Sequence, residues 1–371
     1  MWMQIAVGAT LGLGLSLAVI RWVAPMGWMD QPDECRKHHA RPTARTGGLV
    51  LWIGLIALQV SGKVPFTLHL PDWFAIHAMA FTGLLDDRFN LRARYKAVTG
   101  LVVALTLAFH MTQSLGQAVR LVPFLGMDLP TYPIIIFPLL MLWFWAVPQA
   151  YNLIDGINGL SLGFAALLMG VLGWNLGLQP ALLWGGLAAV LALNFPKAHH
   201  FLGDCGALML GTLFAILGVQ AFGFSHPDLL LWVFAYPIVD VCLVVSIRRW
   251  NSAPLSQADR SHLHHWMLER VGGKAWLATP LLLGFAALPM LRATAIPGHV
   301  PISTLGAVGL VLLALNVFMD RAARPSRSMA AAQVRREIPI MASGTLREAS
   351  GAHRSMATGA FREASGSHRR L

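Results

Sequence analysis

Long apolar runs separated by short polar connections dominate this sequence. A backbone inside lipid must satisfy its own hydrogen bonds, so roughly 20 consecutive apolar residues predict a transmembrane helix. The pattern therefore predicts an all-α, polytopic membrane protein with about eleven transmembrane helices. The runs are approximately 2–24, 47–61, 71–85, 97–112, 131–149, 159–176, 180–196, 205–224, 228–247, 275–291 and 300–319.

Lysine and arginine are distributed unevenly between the connections. One alternating set of connections holds 14 of them, whereas the other holds only Lys63, Arg120 and Arg292. Because short basic loops are retained in the cytoplasm, we place the N-terminus outside and the C-terminus in the cytoplasm. This topology explains the net charge of +11. Basic residues scattered among apolar hairpins indicate the lipid bilayer, and no nucleic acid, as the partner.

The composition changes near residue 320. We expect residues 1–320 to form one transmembrane domain, and residues 321–371 to form a disordered, basic cytoplasmic tail with few large apolar residues. The tail contains a tandem 15-residue repeat, Met341–Ser355 and Met356–Arg370, with ten identical positions. Two copies are too few for a solenoid. A duplication without function and a segment that binds the membrane surface or a partner both remain open.

Adjacent acids end the third run, in GLLDDRFNLRARYK. Asp86 and Asp87 are placed at the membrane boundary, shortly before Lys96 and several arginines. Neighbouring carboxylates repel each other, so such a pair is typical of sites where a cation shares the field, as metal ligand or general base. A solvated helix end with compensating arginines is the alternative.

Two further cytoplasmic connections carry candidate chemistry. QAYNLIDGINGLS places Asn152, Asp155 and Asn158 at intervals of three, which suits a hard cation and hydrogen bonds to a nucleotide. FLGDCGALMLG places Asp204 directly before an apolar helix, where it could hold Mg²⁺ near amides that favour phosphate. Helix capping is the alternative for both segments.

The longest cytoplasmic connection is rich in histidine. ADRSHLHH contains Arg260, His262, His264 and His265. A zinc site is one interpretation, but no cysteine accompanies the histidines and the arginine would repel a metal, which favours binding of a pyrophosphate. Asp240 lies inside the ninth run, where a charge costs about 2.5–3.5 kcal/mol, so it needs a polar partner.

Five segments together carry a family resemblance. They are RKHHARPTARTGGL, GLLDDR, YNLIDGINGL, FLGDCGALMLG and PIVDVCLVVSIRRWNSAPLSQADRSHLHH, which follow one another across residues 36–265. In order and spacing they resemble the polyprenyl-phosphate N-acetylhexosamine-1-phosphate transferase superfamily, in particular the bacterial undecaprenyl-phosphate GlcNAc-1-phosphate transferase branch of glycosyltransferase family 4.

The resemblance implies an activity and its partners. The expected enzyme lies in the bacterial inner membrane with a cytoplasmic active site, and uses Mg²⁺, with Mn²⁺ as an alternative. It transfers N-acetylhexosamine 1-phosphate, foremost GlcNAc 1-phosphate, from a UDP-sugar to undecaprenyl phosphate and releases UMP. This step would start O-antigen or a related cell-envelope polysaccharide. A homodimer is a further option.

The resemblance also implies roles for residues of this chain. Catalytic roles fall to Asp86, Asp87 and Asp155, metal binding to Asn152 and Asp204, and substrate binding to Lys96, Asn158, Arg260, His262, His264 and His265. Many bacterial relatives have aspartate where this chain has Asn90 and Asn158. Neither asparagine is therefore assigned acid–base work.

Other classes compete with this interpretation. A secondary transporter would gather polar groups near the bilayer midplane at a repeat interface, whereas the candidate residues lie at predicted cytoplasmic ends and no inverted repeat is evident. A CDP-alcohol phosphotransferase would need a clustered DG...AR...G...D...D pattern, which is absent. The donor sugar, for example GlcNAc, FucNAc or QuiNAc, stays open, as does the choice between direct displacement and a phospho-aspartyl intermediate.

Overall fold

The structure, a computed structural model, describes residues 1–31, 42–114, 121–124, 127–130, 132–223, 225–252, 261–294 and 299–322. Most of these residues are helical. The helices are α1 (Trp2–Ala18), α2 (Gly47–Val60), α3 (Leu70–Phe89), α4 (Ala93–Ser114), α5 (Pro133–Leu153), α6 (Leu160–Asn175), α7 (Ala181–Asn194), α8 (Gly203–Phe222), α9 (Asp228–Val233), α10 (Ala235–Trp250), α11 (Leu263–Arg270), α12 (Ala275–Met290) and α13 (His299–Ala322). The predicted tail and its repeat lie outside the described residues.

All eleven apolar runs coincide with helices, which confirms a mostly helical fold. By length and composition, six stretches of the described residues could cross a membrane: Trp2–Met26, Ala93–Ser114, Pro133–Leu153, Gly203–Phe222, Ala275–Thr294 and Pro301–Ala322. Helices α2, α6 and α7 are apolar but shorter. The chain is thus a multi-pass membrane protein, while the number of eleven spans and the orientation stay predictions.

The ninth run forms two helices rather than one. Helix α9 ends at Val233, and α10 begins at Ala235 after Phe234 leaves the helical conformation. Pro237 lies four residues after Val233. Proline has no N–H to donate to that carbonyl and its ring crowds it, which interrupts a continuous helix at this point.

The prediction of an all-α fold needs one correction, because five short strands are present. They are β1 (Met29–Asp30), β2 (Thr43–Arg45), β3 (Leu121–Phe124), β4 (Met127–Pro130) and β5 (His200–Phe201). Strands β1 and β2 pair antiparallel, β2 and β5 pair parallel, and β3 and β4 form an antiparallel pair. Strands of two to four residues are too short to give an alternating pattern in the sequence.

Helix α8 forms the centre of the protein. It is apolar on all sides and almost entirely buried, as expected for a helix surrounded by others. Helices α2, α3 and α5 pack against it. Close approach needs glycine on two of them, because a Cβ on Gly83 would meet the backbone of Asp204 and one on Gly48 would meet that of Gly206.

These contacts bring four helix ends to the same level. The C-terminal ends of α3 and α5 carry Asp86 and Asn152, and the N-terminal ends of α4 and α8 carry Lys96 and Asp204. The sheet formed by β1, β2 and β5 lies at this end as well, since β5 directly precedes α8. The candidate site is therefore built on helix ends and short connections.

Candidate active site

Four side chains from distant parts of the chain meet in one hydrogen-bonded group, called here the central cluster: Asp86, Lys96, Asn152 and Asp204. The Lys96 ammonium donates to Asp204 Oδ2 at 2.7 Å and to Asp86 Oδ2 at 3.1 Å. The Asn152 amide donates to the same Asp204 oxygen at 3.3 Å. One ammonium thus bridges two carboxylates, and an amide completes the group.

The central cluster is partly buried and still open to solvent. Side-chain exposures are 11 % for Asp86, 21 % for Lys96 and 24 % for Asp204. Partial burial strengthens electrostatic interactions relative to bulk water. The remaining exposure leaves room for a charged substrate to reach the carboxylates.

The donor set of the central cluster fits a hard divalent cation. Two carboxylates and an amide oxygen are ligands that Mg²⁺ and Mn²⁺ accept, and neither metal needs histidine or cysteine. The Asn152 amide donates to Asp204, so the two side chains lie close enough together to reach one ion. In the structure the Lys96 ammonium supplies the positive charge between the carboxylates.

Asp87 has a different environment from its neighbour Asp86. Its two carboxylate oxygens accept the backbone N–H groups of Asp204 and Cys205, each at 2.9 Å. The first amides of a helix have no partner within it, so Asp87 satisfies the N-terminus of α8 from another helix. With 5 % exposure, this carboxylate holds the backbone that carries Asp204.

Asp155 lies in the connection between α5 and α6, next to the central cluster. It accepts hydrogen bonds from the Ser161 hydroxyl and from the Gly203 backbone N–H. Burial raises the pKa of the Asp155 carboxyl to about 6, although the bond from Ser161 opposes this shift. A carboxyl with such a pKa can take up or release a proton near neutral pH.

Asn158 is the third member of the predicted Asn-Asp-Asn array, but it does not join the central cluster. Its side-chain amide donates to the Pro196 carbonyl at 3.0 Å, and its backbone carbonyl accepts the Thr279 hydroxyl at 2.8 Å. The side chain thus lies against the connection before β5. A role toward a nucleobase stays a prediction.

Asn194 was missed by sequence reasoning. Its oxygen accepts the Gly159 N–H at 2.6 Å, and its amide donates to the His200 carbonyl at 2.9 Å. It therefore joins the connection between α5 and α6, which carries Asp155, to the connection that leads into α8 and Asp204. The available signal was a lone asparagine at the end of an apolar run.

We predict that Asn194→Ala lowers the thermal unfolding midpoint. The substitution leaves a buried N–H and a buried carbonyl without their partner, at about 1–3 kcal/mol for each unsatisfied group. Asn175→Ala is the matched control, because the Asn175 side chain also makes two hydrogen bonds to the backbone but is exposed, so water can replace it. Equal midpoints for the two purified variants would contradict the role given to Asn194.

The histidines form a second cluster together with Asp240. The sequence predicted that the buried Asp240 needs a polar partner, and His262 is that partner. His262 Nδ1 lies 2.7 Å from Asp240 Oδ2, and the Leu263 N–H donates to Asp240 Oδ1 at 2.7 Å. His264 stacks on His262, with ring centroids 5.2 Å apart, and lies 4.3 Å from the ring of His265. Arg260 lies outside the described residues. Ligand atoms of Asp240, His262 and His264 lie within 4.8 Å of one another, which also meets the distance requirement for a metal.

His264 links this cluster to the connection between α5 and α6. Its ring occupies the space where a Cβ on Gly156 would lie. Burial, together with the nearby rings of His265 and His262, lowers the pKa of His264 well below its usual range. The ring is therefore neutral at physiological pH, and it packs against Gly156, the residue that follows Asp155.

Known proteins resemble this chain over most of its length. Residues 72–222 match the family model described as glycosyl transferase family 4. A Bacillus subtilis (strain 168) protein named "Probable undecaprenyl-phosphate N-acetylglucosaminyl 1-phosphate transferase" is 30 % identical over 272 residues, which cover 67 % of this chain and 72 % of the relative. Undecaprenyl-phosphate alpha-N-acetylglucosaminyl 1-phosphate transferases of Yersinia pestis and Escherichia coli (strain K12) are 30 % and 29 % identical. Their alignments cover 73 % and 71 % of this chain, and 78 % and 75 % of the relatives.

The matched region contains the central cluster. All four of its residues, with Asp87 and Asp155, lie inside residues 72–222, whereas the histidine cluster follows that region. The family that the motifs predicted is thereby confirmed, and the chain belongs to glycosyl transferase family 4.

Proposed function

We propose that the protein transfers GlcNAc 1-phosphate from UDP-GlcNAc to undecaprenyl phosphate and releases UMP. The observation that carries this proposal is the central cluster, in which Asp86, Lys96, Asn152 and Asp204 converge at helix ends. The names of the relatives support both the acceptor and the sugar. The product would start a lipid-linked polysaccharide of the cell envelope, such as O-antigen.

The reaction must bring two polyanions, the acceptor phosphate and the donor diphosphate, within bonding distance. Lys96 supplies a fixed positive charge at this point. Asn152 and Asp204 are the residues that would hold Mg²⁺. A bound Mg²⁺ would neutralise charge that develops on the transferred phosphoryl group.

Asp86 and Asp87 have different roles in the proposed reaction. Asp87 is committed to the backbone of α8, so Asp86 is the better candidate for contact with the acceptor. Asp86 would accept the proton of the acceptor phosphate. The freed oxygen then forms a bond to the sugar-linked phosphorus, while the bond from that phosphorus to UMP breaks. Direct displacement needs no covalent enzyme intermediate.

We further propose eleven transmembrane helices, an outside N-terminus and an active site at the cytoplasmic face of the inner membrane. The uneven distribution of basic residues supports this orientation. The position of the central cluster at the ends of α3 and α5 and the starts of α4 and α8 fits it. The same position argues against a transporter, whose substrate site would lie near the middle of the helices.

The donor nucleotide would bind toward Asn158, Arg260 and the histidine cluster. His264 lies beside Gly156 and thus borders the connection that carries Asp155. Donor groups would therefore lie between the histidines and the central cluster. Hydrogen bonds from imidazole and guanidinium groups suit a diphosphate.

We predict that Gly156→Ala raises the KM for UDP-GlcNAc. The new methyl group would occupy space filled by His264. Overpacking of this kind costs about 1–3 kcal/mol, equivalent to roughly 5-fold to 140-fold in donor affinity. Gly54→Ala is the control, because a Cβ there meets nothing within 4 Å. Steady-state kinetics in which both variants keep the wild-type donor KM would contradict the predicted contact between donor and histidines.

The proposed function is tested with purified protein, undecaprenyl phosphate, Mg²⁺ and a panel of UDP-N-acetylhexosamines. We expect UMP and a lipid-linked sugar with UDP-GlcNAc, loss of turnover in EDTA and recovery with excess Mg²⁺ or Mn²⁺. No turnover with any donor would overturn the proposal. Incubation with labelled donor but no acceptor tests direct displacement, for which we expect no stoichiometric burst of UMP and no labelled protein.

A further inference from the structure

Asp240 is a buried carboxylate that accepts two hydrogen bonds from one short segment, the start of α11. It lies on α10 with 0 % exposure. Both donors belong to the start of α11: the His262 ring nitrogen Nδ1 and the Leu263 backbone N–H, each at 2.7 Å. A buried charge is tolerated when such bonds satisfy it. The histidine segment and the buried charge are thus fixed to each other.

The hydrogen bond to Asp240 determines which edge of the His262 ring faces away from Asp240. A carboxylate that holds Nδ1 fixes the rotation of the ring and requires the proton on that nitrogen, so Nε2 lies on the opposite edge. The ring keeps 8 % side-chain exposure. His262 then stacks on His264 at an interplanar angle of 23°, and His264 packs against Gly156. A continuous row of contacts thus leads from Asp240 to Gly156, in the connection between α5 and α6.

We infer that Asp240 is a positioning residue for the transfer reaction, acting through His262 on the donor substrate. This inference rests on the proposed function. Asp240 does not touch the reacting atoms in this account. It holds the ring of His262 in one orientation, so that the histidine meets the donor diphosphate without first losing rotational freedom.

The same three groups could in principle hold a metal, since their ligand atoms lie close together. The hydrogen bonds argue for positioning instead. Asp240 Oδ2 lies at hydrogen-bond distance from His262 Nδ1, 2.7 Å, and Asp240 Oδ1 accepts the Leu263 backbone N–H. A metal bound between Asp240 and His262 would have to replace this hydrogen bond. Metal content of the purified protein distinguishes the two arrangements.

The test is Asp240→Asn in the full-length protein, with Asp72→Asn as the matched control. Asp72 is an equally buried aspartate on α3, but it accepts the His69 backbone N–H at the opposite end of the helix from Asp86. We expect Asp240→Asn to raise the KM for UDP-GlcNAc by about 10-fold or more, the scale for loss of a partner that orients a functional histidine. The KM for undecaprenyl phosphate should stay within about 2-fold of wild type, as expected for a site that is independent of Asp240.

Two further measurements separate positioning from general stability. In the background of His262→Gln, Asp240→Asn should add no further rise in donor KM, because the effect travels through that ring. Nitrogen NMR of histidine-labelled wild-type protein should show a proton on Nδ1 of His262, with His262→Gln used to assign the signal. This measurement does not depend on whether an Asp240 variant folds.

The outcomes that overturn the inference differ from those that overturn the proposed function. If wild type and Asp72→Asn transfer no sugar phosphate, the proposed function fails. If both are active and Asp240→Asn shares their donor KM, or the two substitutions are additive, the positioning role fails. An unprotonated Nδ1 on His262, or one equivalent of zinc lost on Asp240→Asn, would also overturn it.

Discussion

Asp204→Asn is expected to lower kcat by about 1000-fold or more, the upper scale for loss of one electrostatic contact in an active site. Asp204 Oδ2 accepts both Lys96 and Asn152, so the substitution removes the charge at the centre of the cluster. It also removes a carboxylate that would hold Mg²⁺. The fold should persist, because Asp87 binds the backbone N–H of residue 204, which asparagine retains.

Asp228→Asn is the matched control for this experiment. Asp228 also lies in the first turn of a helix, α9, and is also half-buried, but it is not part of the central cluster. UMP release by the two purified variants, measured with saturating substrates, checks the prediction. An Asp204→Asn protein that turns over within about 10-fold of the control would contradict the central role of Asp204.

The second large effect separates the two adjacent aspartates. Asp86→Asn should lower kcat by at least about 100-fold, as for loss of a general base, without lowering the thermal unfolding midpoint. Asp87→Asn should lower the midpoint by about 2 °C or more. An asparagine can accept only one of the two N–H groups, and its own amide then faces the other, which costs about 1–3 kcal/mol.

The deciding measurement is the thermal unfolding midpoint of each variant, compared with that of the wild-type protein. Activity is expected to fall in both, since Asp87 holds the backbone of Asp204, so turnover alone cannot separate them. An Asp87→Asn protein as stable as Asp86→Asn would mean that the carboxylate does not hold the start of α8.

The helices were predictable because lipid permits few alternatives. Every apolar run became helical, since a backbone in the bilayer must satisfy itself. The break between α9 and α10 depends on a single proline, Pro237, whose neighbours are as apolar as the rest of the run. The short strands and α11 could not be predicted, because two to eight residues carry too little periodicity.

The sequence allowed us to predict which residues belong to the candidate site, but not which residues form hydrogen bonds with one another. Charge asymmetry predicts that Asp86, Asp204 and the histidines lie on one face of the membrane, and the insertion cost of Asp240 predicted that it has a polar partner. Which partner it has depends on a contact across 22 residues, with His262. The task of Asp87 depends on backbone amides 117 and 118 residues away. Such pairings follow from packing, which the local sequence does not encode.

In the proposed reaction, the central cluster transfers a phosphate together with the sugar. This transfer is tested most directly with UDP-GlcNAc carrying a radioactive label on the β-phosphate, incubated with the protein, undecaprenyl phosphate and Mg²⁺. We predict that the label passes to the lipid fraction in step with unlabelled UMP. Label that leaves as UDP, while unlabelled sugar joins the lipid, would contradict the account.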